Sequence, residues 1–326
     1  LFYVIILNII CNRSINRSVN QSISQSVNQS ISQSVNQSIS QSVNQSISQS
    51  VNQSISQSVN QSIKIYQIFY NEETRNQIDP RYIPLDNTHS PKPEWFEFYP
   101  IKSFLDNNEL EDNTYYGFLS PRFYEKTGVS AEQLIAIIQE KSQDNIDVFL
   151  SSLGFGSIAY YQNLFEQGGV AHPDLKELSQ QALNKMGVCI NLDELVSSSY
   201  NTAYCNYIIG NKRYWHEWKI LADKFYNLVE NDTSELGERL RAKTSYHRGE
   251  TAMRTFIQER LPSIILALNN FRTISFGREI HPQFLEPAKY EMCNYFKSRY
   301  TQTKDPLDLL VYKHIRHTIL ISTENK

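Results

Sequence analysis

Glu259 and Arg260 stand side by side in Phe256-Ile-Gln-Glu-Arg-Leu261, setting a carboxylate next to a guanidinium. Beside a cleft, a carboxylate takes a proton from a hydroxyl and a cation steadies the charge growing on a leaving group. On a solvated helix face the same two residues make an ion pair worth less than about 1 kcal/mol. Asp147, the second catalytic candidate, heads the apolar run Val148-Phe-Leu150; it either acts as base or ligand or simply closes the preceding turn. Asn206 lies inside Thr202-Ala-Tyr-Cys-Asn-Tyr-Ile-Ile209, where a buried polar group needs a hydrogen-bond partner, from the backbone or from a ligand. Arg122 and Lys126 follow Ser120 closely, and their charges suit phosphate oxygens placed there.

Sharper signatures are missing. The chain has no G-x-x-x-x-G-K-[ST] loop, no G-x-G-x-x-G after a strand, no H-E-x-x-H and no G-x-S-x-G. Gly154-Phe-Gly156 reads as a packing turn. His314 and His317 lie one helical turn apart, but Lys313 and Arg316 beside them oppose a cation, so a solvated helix face is expected. The four cysteines, Cys11, Cys189, Cys205 and Cys293, show no C-x-x-C spacing, which points to a reducing compartment and away from a disulfide framework or zinc site. With 31 basic against 34 acidic residues, duplex nucleic acid is excluded as the main partner. The 20 tyrosines offer faces for sugar rings or bases, although a core rich in aromatics, Trp215 and Trp218 included, accounts for most of them.

The elements that must position these residues are legible in outline. Lys64–Tyr70 alternates and is rich in β-formers, so it is the first predicted strand. A long proline-bearing loop over 71–93 follows at once. Ligands of α/β domains are met beyond the carboxyl ends of strands, which nominates Tyr70, Asp86 and Asn87 as contact residues. Tyr115–Ser120 is a second strand, Ser130 and Gln133 form a capping box for a helix through Gln139, and Asp147–Leu150 is a short buried strand. Helices are predicted over 157–167, 173–186, 214–229, 251–268 with a kink at Pro262, and 305–322. Thr202–Ile209 reads as a strand. Strands separated by helices imply an α/β domain with a mainly parallel or mixed sheet.

Ahead of this domain, the octapeptide Ser-Val-Asn-Gln-Ser-Ile-Ser-Gln recurs through residues 14–63. Its sparse apolar residues cannot offset an ordering cost of roughly 1–2 kcal/mol per residue, so residues 1–63 are expected to be disordered. Leu1–Cys11 is apolar but shorter than the ~20 residues of a membrane span, and is read as an upstream artefact or a weak anchor. The remaining 64–326, roughly 260 residues, suffice for one sizeable core. The octapeptide can be encoded by the tetranucleotides TCAA and TCAG in tandem. That arrangement resembles the slippage tracts of phase-variable bacterial genes, many of which build lipooligosaccharide.

From Lys64 to about Ala267 the order of segments resembles bacterial glycosyltransferases of capsule and lipooligosaccharide loci, of the nucleotide-sugar-binding, single Rossmann-like GT-A type. The likeness rests on Tyr115-Tyr-Gly-Phe-Leu-Ser-Pro121 with Lys126-Thr-Gly128, a strand headed by Asp147, Asn206-Tyr-Ile-Ile209 leading into Tyr214-Trp-His-Glu-Trp218, and Phe256–Leu261. It implies a cytoplasmic enzyme, peripheral to the membrane at most, with a nucleotide-sugar donor and a glycan or glycolipid acceptor. Asp147 and Glu259 would be catalytic, and Tyr70, Asp86, Asn87, Ser120, Arg122, Lys126, Asn206 and Arg260 would contact the donor. The alternative is a non-catalytic carbohydrate-binding or surface interaction protein of the same fold. One departure bears on cofactors: metal-dependent members carry Asp-x-Asp, and this chain has none. Either Mg²⁺ or Mn²⁺ is held partially by Asp147, Asp86 or Asp193-Glu194, or Arg122 and Lys126 neutralise the diphosphate instead.

Overall fold

The computed structural model describes residues 17–26, 29, 61–151, 153–246, 249–277 and 286–324. Within the repeat, residues 17–26 are helical and exposed. Val19 and Ile23 fall four apart there and leave an open stripe. The rest of the repeat before 61, Gln29 excepted, lies outside the described residues, as does the apolar run 1–11. The chain divides into two units, Leu1–Val59 and Asn60–Lys326, and the second carries the sheet.

Six strands form that sheet in the order β2-β1-β3-β5-β4-β8. They are β1 Ser62–Phe69, β2 Ile83–Asp86, β3 Thr114–Leu119, β4 Val148–Ser151, β5 Ile208–Gly210 and β8 Thr273–Phe276; a separate hairpin pairs β6 Lys243–Tyr246 with β7 Gly249–Ala252. All sheet strands run parallel except β5, which is antiparallel to both β3 and β4. The α/β expectation and its mixed sheet therefore hold. β1 starts two residues ahead of Lys64, since Ser62 and Ile63 already pair with Thr114 and Tyr115.

Alternation along the strands serves two cores. Tyr116, Phe118, Val148, Leu150 and Ile208 face one, together with Trp215 and Trp218 of the Lys212–Asn231 helix and Phe98 and Ile101 of the Phe98–Asn107 helix. Tyr115, Leu119, Phe149 and Ile209 face the other, covered by Leu134 and Ile138 of the Ala131–Lys141 helix, which opens on the expected Ser130/Gln133 capping box. Gly117 sits between them in β3, where an added Cβ would come within 2.9 Å of Ile209. Burying a side chain the size of Leu or Phe is worth about 1.5–3 kcal/mol, so these two layers dominate stability. Among the described residues no helix is long and apolar enough to cross a membrane.

Four expected elements differ. The helix predicted over 157–167 is two, Phe155–Tyr160 and Leu164–Gly169, parted where Asn163 turns extended and its side chain caps the second by accepting the Phe165 and Glu166 N–H groups. The loop over 71–93 contains the Glu72–Asn76 helix and edge strand β2, whose Pro84 is tolerated because an edge strand leaves one side unpaired. Thr202–Tyr207 is irregular, not strand, because Cys205 and Asn206 both take φ +56° and turn the chain before β5. The predicted kinked helix over 251–268 is two helices, Met253–Gln258 and Leu261–Leu268. Pro262, without an N–H and placed in the first turn of the second, stops the first from continuing.

Candidate active site

From β1 the chain crosses to β2 on one side and to β3 on the other, a switch point of the kind beyond whose strand carboxyl ends α/β domains meet their ligands. Tyr70 follows β1, Ser120 follows β3 and Ser151 ends β4 on that edge. Because β5 is reversed, its amino end brings Asn206 and Tyr207 to the same edge. Ser120 Oγ and the Tyr207 hydroxyl bond at 2.7 Å, closing the floor.

The break at Glu259 and Arg260 supplies the opposite wall, and two ties set its position. Gln258 Nε2 donates to the Trp95 carbonyl at 3.3 Å, joining the first helix of the broken pair to the segment that carries Glu97. Trp95 is fully buried and anchored by its Nε1 on Glu230 at 2.9 Å. Ser263 Oγ accepts the Ala203 N–H at 3.0 Å, clamping the Thr202–Tyr207 loop to the second helix.

Between these walls lie Glu97, Lys126, Tyr204, Cys205, Tyr207 and Glu259. Burial pushes the Glu259 carboxyl above its ordinary range; Arg260 and Lys126 pull it down and Glu97 pushes it up, so all three charges act on it. No hydrogen bond or ion pair of the Glu259 carboxylate is found among the described residues. Lys126 Nζ stands 3.4 Å from Cys205 Sγ and 5.8 Å from the centre of the Tyr207 ring. Burial, then the charge of Glu97, keeps the Tyr70 phenol protonated.

Strained backbone and unmet hydrogen bonds occur here. Phe96, next to Glu97, has φ +48° and ψ −130°, and Cys205 and Asn206 are both left-handed. A non-glycine residue in such a region costs on the order of 1–3 kcal/mol and persists only where its surroundings hold it. Ser151 Oγ, Thr202 Oγ1, the Tyr204 hydroxyl and Asn206 Oδ1 are buried without a partner among the described residues. Leaving each of them dry costs about 1–3 kcal/mol, which a ligand bearing hydroxyls can relieve.

The structure gathers some of the expected residues and separates others. Tyr70, Ser120, Lys126, Asn206 and Glu259 converge. Asp147 does not: it precedes β4 and so lies at the opposite, amino edge, where its carboxylate accepts Asn211 Nδ2 at 2.8 Å and the Arg272 N–H at 2.9 Å, with Arg213 at 3.4 Å. Arg260 is buried and engaged by the Leu164 and Phe256 carbonyls and Gln167 Oε1, so it holds the Leu164–Gly169 helix and reaches Glu259 only through its field. Arg122 grips Glu125 with both arms of its guanidinium, at 2.8 and 2.6 Å. Asp86 closes a turn on Thr88, and Asp86 and Asn87 line a separate cavity of about 320 Å³ with Tyr99. The carboxylates nominated for a divalent cation do not meet one another. Asp86 and Asp147 stand at opposite edges of the sheet, Asp193 pairs with Lys176, and among the described residues no three His, Cys, Asp or Glu side chains gather. His314 and His317 are exposed on the Pro306–Glu324 helix, as expected.

Sequence reasoning missed Glu97, Ser151, Tyr204 and Tyr207. Glu97 carries no motif and comes near Glu259 because Trp95 is anchored 135 residues away in sequence. Tyr207 adjoins Asn206, and a reversed strand would have flagged it. In comparison with known proteins, no family, no curated protein and no solved structure matches this chain.

Proposed function

We propose that the domain is a GT-A-like glycosyltransferase that moves a sugar from a nucleotide-sugar donor to a bacterial surface glycan, lipooligosaccharide or capsule, at the inner face of the membrane. The observation that carries this reading is Glu259, a carboxylate with a raised pKa and no partner among the described residues, within the field of Lys126 at the switch point where tyrosines and unsatisfied hydroxyl and amide groups gather. In the reaction, Glu259 accepts the proton of the acceptor hydroxyl, the acceptor oxygen bonds to the anomeric carbon, and the bond from that carbon to the diphosphate oxygen breaks. Lys126 offsets the charge that collects on the diphosphate, and Tyr70 and Tyr207 offer ring faces to sugar or base.

The test is thermal shift with UDP, GDP, CMP and their sugar conjugates, followed by slow release of nucleotide from the conjugate that binds. At a hundredfold excess over its dissociation constant a ligand adds about 2.7 kcal/mol of stability, which is plain in a melting curve. A chain that no nucleotide stabilises and that hydrolyses no conjugate is not a transferase.

A further inference from the structure

A cavity of about 990 Å³ opens near the amino end of β8, the opposite end of that strand from the candidate active site. Its walls are the 189–201 segment, the end of the Leu261–Leu268 helix with the turn to β8, and the last turns of the Pro287–Thr303 helix. The three walls are fixed to one another. Thr273 Oγ1 donates to the Tyr200 carbonyl at 2.7 Å, and Asn294 Oδ1 of the third wall accepts the Ser199 N–H at 2.8 Å.

The chemistry of the lining is that of a neutral polyol site. Of the described lining residues only Glu194 and Lys304 carry charge, one of each sign, so nothing selects an anion or a cation. Five of the polar side chains of the lining are carboxamides: Asn191, Asn201, Asn269, Asn270 and Gln302. Two of them are pre-oriented. Asn191 Oδ1 accepts the Asp193 N–H at 3.0 Å and Asn201 Oδ1 accepts the Ser198 N–H at 2.7 Å, which leaves each NH₂ group turned away from that bond and free to donate. The Asn270 and Gln302 carboxamides make no hydrogen bond among the described residues. Tyr200, Phe271 and Tyr300 add ring surface beside these amides.

We propose that this cavity is a second binding site, for a neutral oligosaccharide. Vicinal hydroxyls present alternating donors and acceptors that match carboxamides, and the C–H faces of the sugar rings pack on aromatic rings. Its volume lies at the upper end of the range for small-ligand pockets and accommodates more than one sugar unit. If the transferase reading holds, the site would grip the acceptor glycan away from the reacting end; the binding itself does not depend on that reading.

Saturation-transfer NMR on the full chain tests this, with lactose, maltotriose and chitotriose as probes and UDP as the charged control. The expected result is transfer to at least one sugar, undiminished in Glu259→Gln and at least fivefold weaker in Asn270→Ala with Gln302→Ala. Those two side chains are exposed and unbonded, so the double variant is expected to melt with the parent chain. Cavity-filling Thr301→Trp is the second variant and should abolish the signal. No transfer to any sugar, or transfer that both cavity variants leave intact, overturns the proposal. Nucleotide binding without sugar binding would spare the transferase reading and sink this one; sugar binding without nucleotide binding would do the reverse.

Discussion

Glu259 owes its environment to where the helix breaks. Its folded pKa is raised, so the unfolded chain releases this proton first and the folded domain loses stability as pH climbs from the usual carboxyl range through the folded value. Glu259→Gln removes that loss, and its melting temperature at neutral pH should equal or exceed the parent's, while transfer falls by about 10²-fold or more. Activity of the parent should rise with pH through the raised Glu259 value, because the base works deprotonated. Asp147→Asn is the opposite case. An amide there sets an NH₂ group against Asn211 Nδ2 or the Arg272 N–H, so about 1–3 kcal/mol of stability should go, with activity per folded molecule unchanged. Lys126→Ala should weaken nucleotide binding by the roughly 1.5–3 kcal/mol of a charge-assisted contact, measured by calorimetry, and Arg122→Ala by much less, its guanidinium being held by Glu125. Equal effects of the two would remove Lys126 from its phosphate role.

Among the elements, the Phe155–Tyr160 helix that follows β4 is buttressed by the Pro287–Thr303 helix through a buried lysine. Lys297 Nζ donates to the Ile158 and Tyr161 carbonyls, closing the helix end, and lies 5.3 Å from the centre of the Tyr312 ring. Burial pushes its ammonium down to about 7 from an ordinary 10.5. Above about pH 7 the unfolded chain thus holds a proton that the folded one has shed, and stability should rise with pH by on the order of 1 kcal/mol per unit. The rise stops near the ordinary thiol and phenol range, where buried Cys293, pushed up to about 11, and buried tyrosines such as Tyr312 make unfolding release protons. Lys297→Met should flatten the slope between pH 7 and 9 in urea melts. A slope that survives the substitution belongs to another group.

At the scale of the molecule, the sheet-bearing unit begins at Asn60, so the last residues of the repeat are part of the fold. Ser62 and Ile63 pair with β3, and Ile63 packs against the core that Tyr115 and Leu119 share. A chain starting at Asn60 should match the full chain in melting temperature and nucleotide response. One starting at Lys64 loses two ladder residues and an apolar contact, and should melt measurably lower, by a few degrees for each 1–2 kcal/mol. If removing residues 1–59 lowers the melting temperature as much, the repeat stabilises the domain and its composition has been misread.

The sequence by itself determined the class of fold, β1, β3 and β4, the Ser130 cap and the Trp215–Trp218 core, because period-two runs and capping residues act over a few neighbours. It also singled out Glu259, Lys126, Asn206 and Ser120, whose residue types carry chemistry wherever they lie. Tertiary structure decided which of them meet. Asp147 and Ser151 bound the same short strand, yet its direction sends one to the amino edge and the other to the carboxyl edge. Asn206 and Tyr207 arrive because β5 is reversed, a fact set by pairing with β3 and β4 and by no local preference. Glu97 arrives through Trp95, Glu230 and Gln258, contacts between residues more than a hundred positions apart. Such contacts form only when the core excludes water from all of them at once, and no window of sequence contains them.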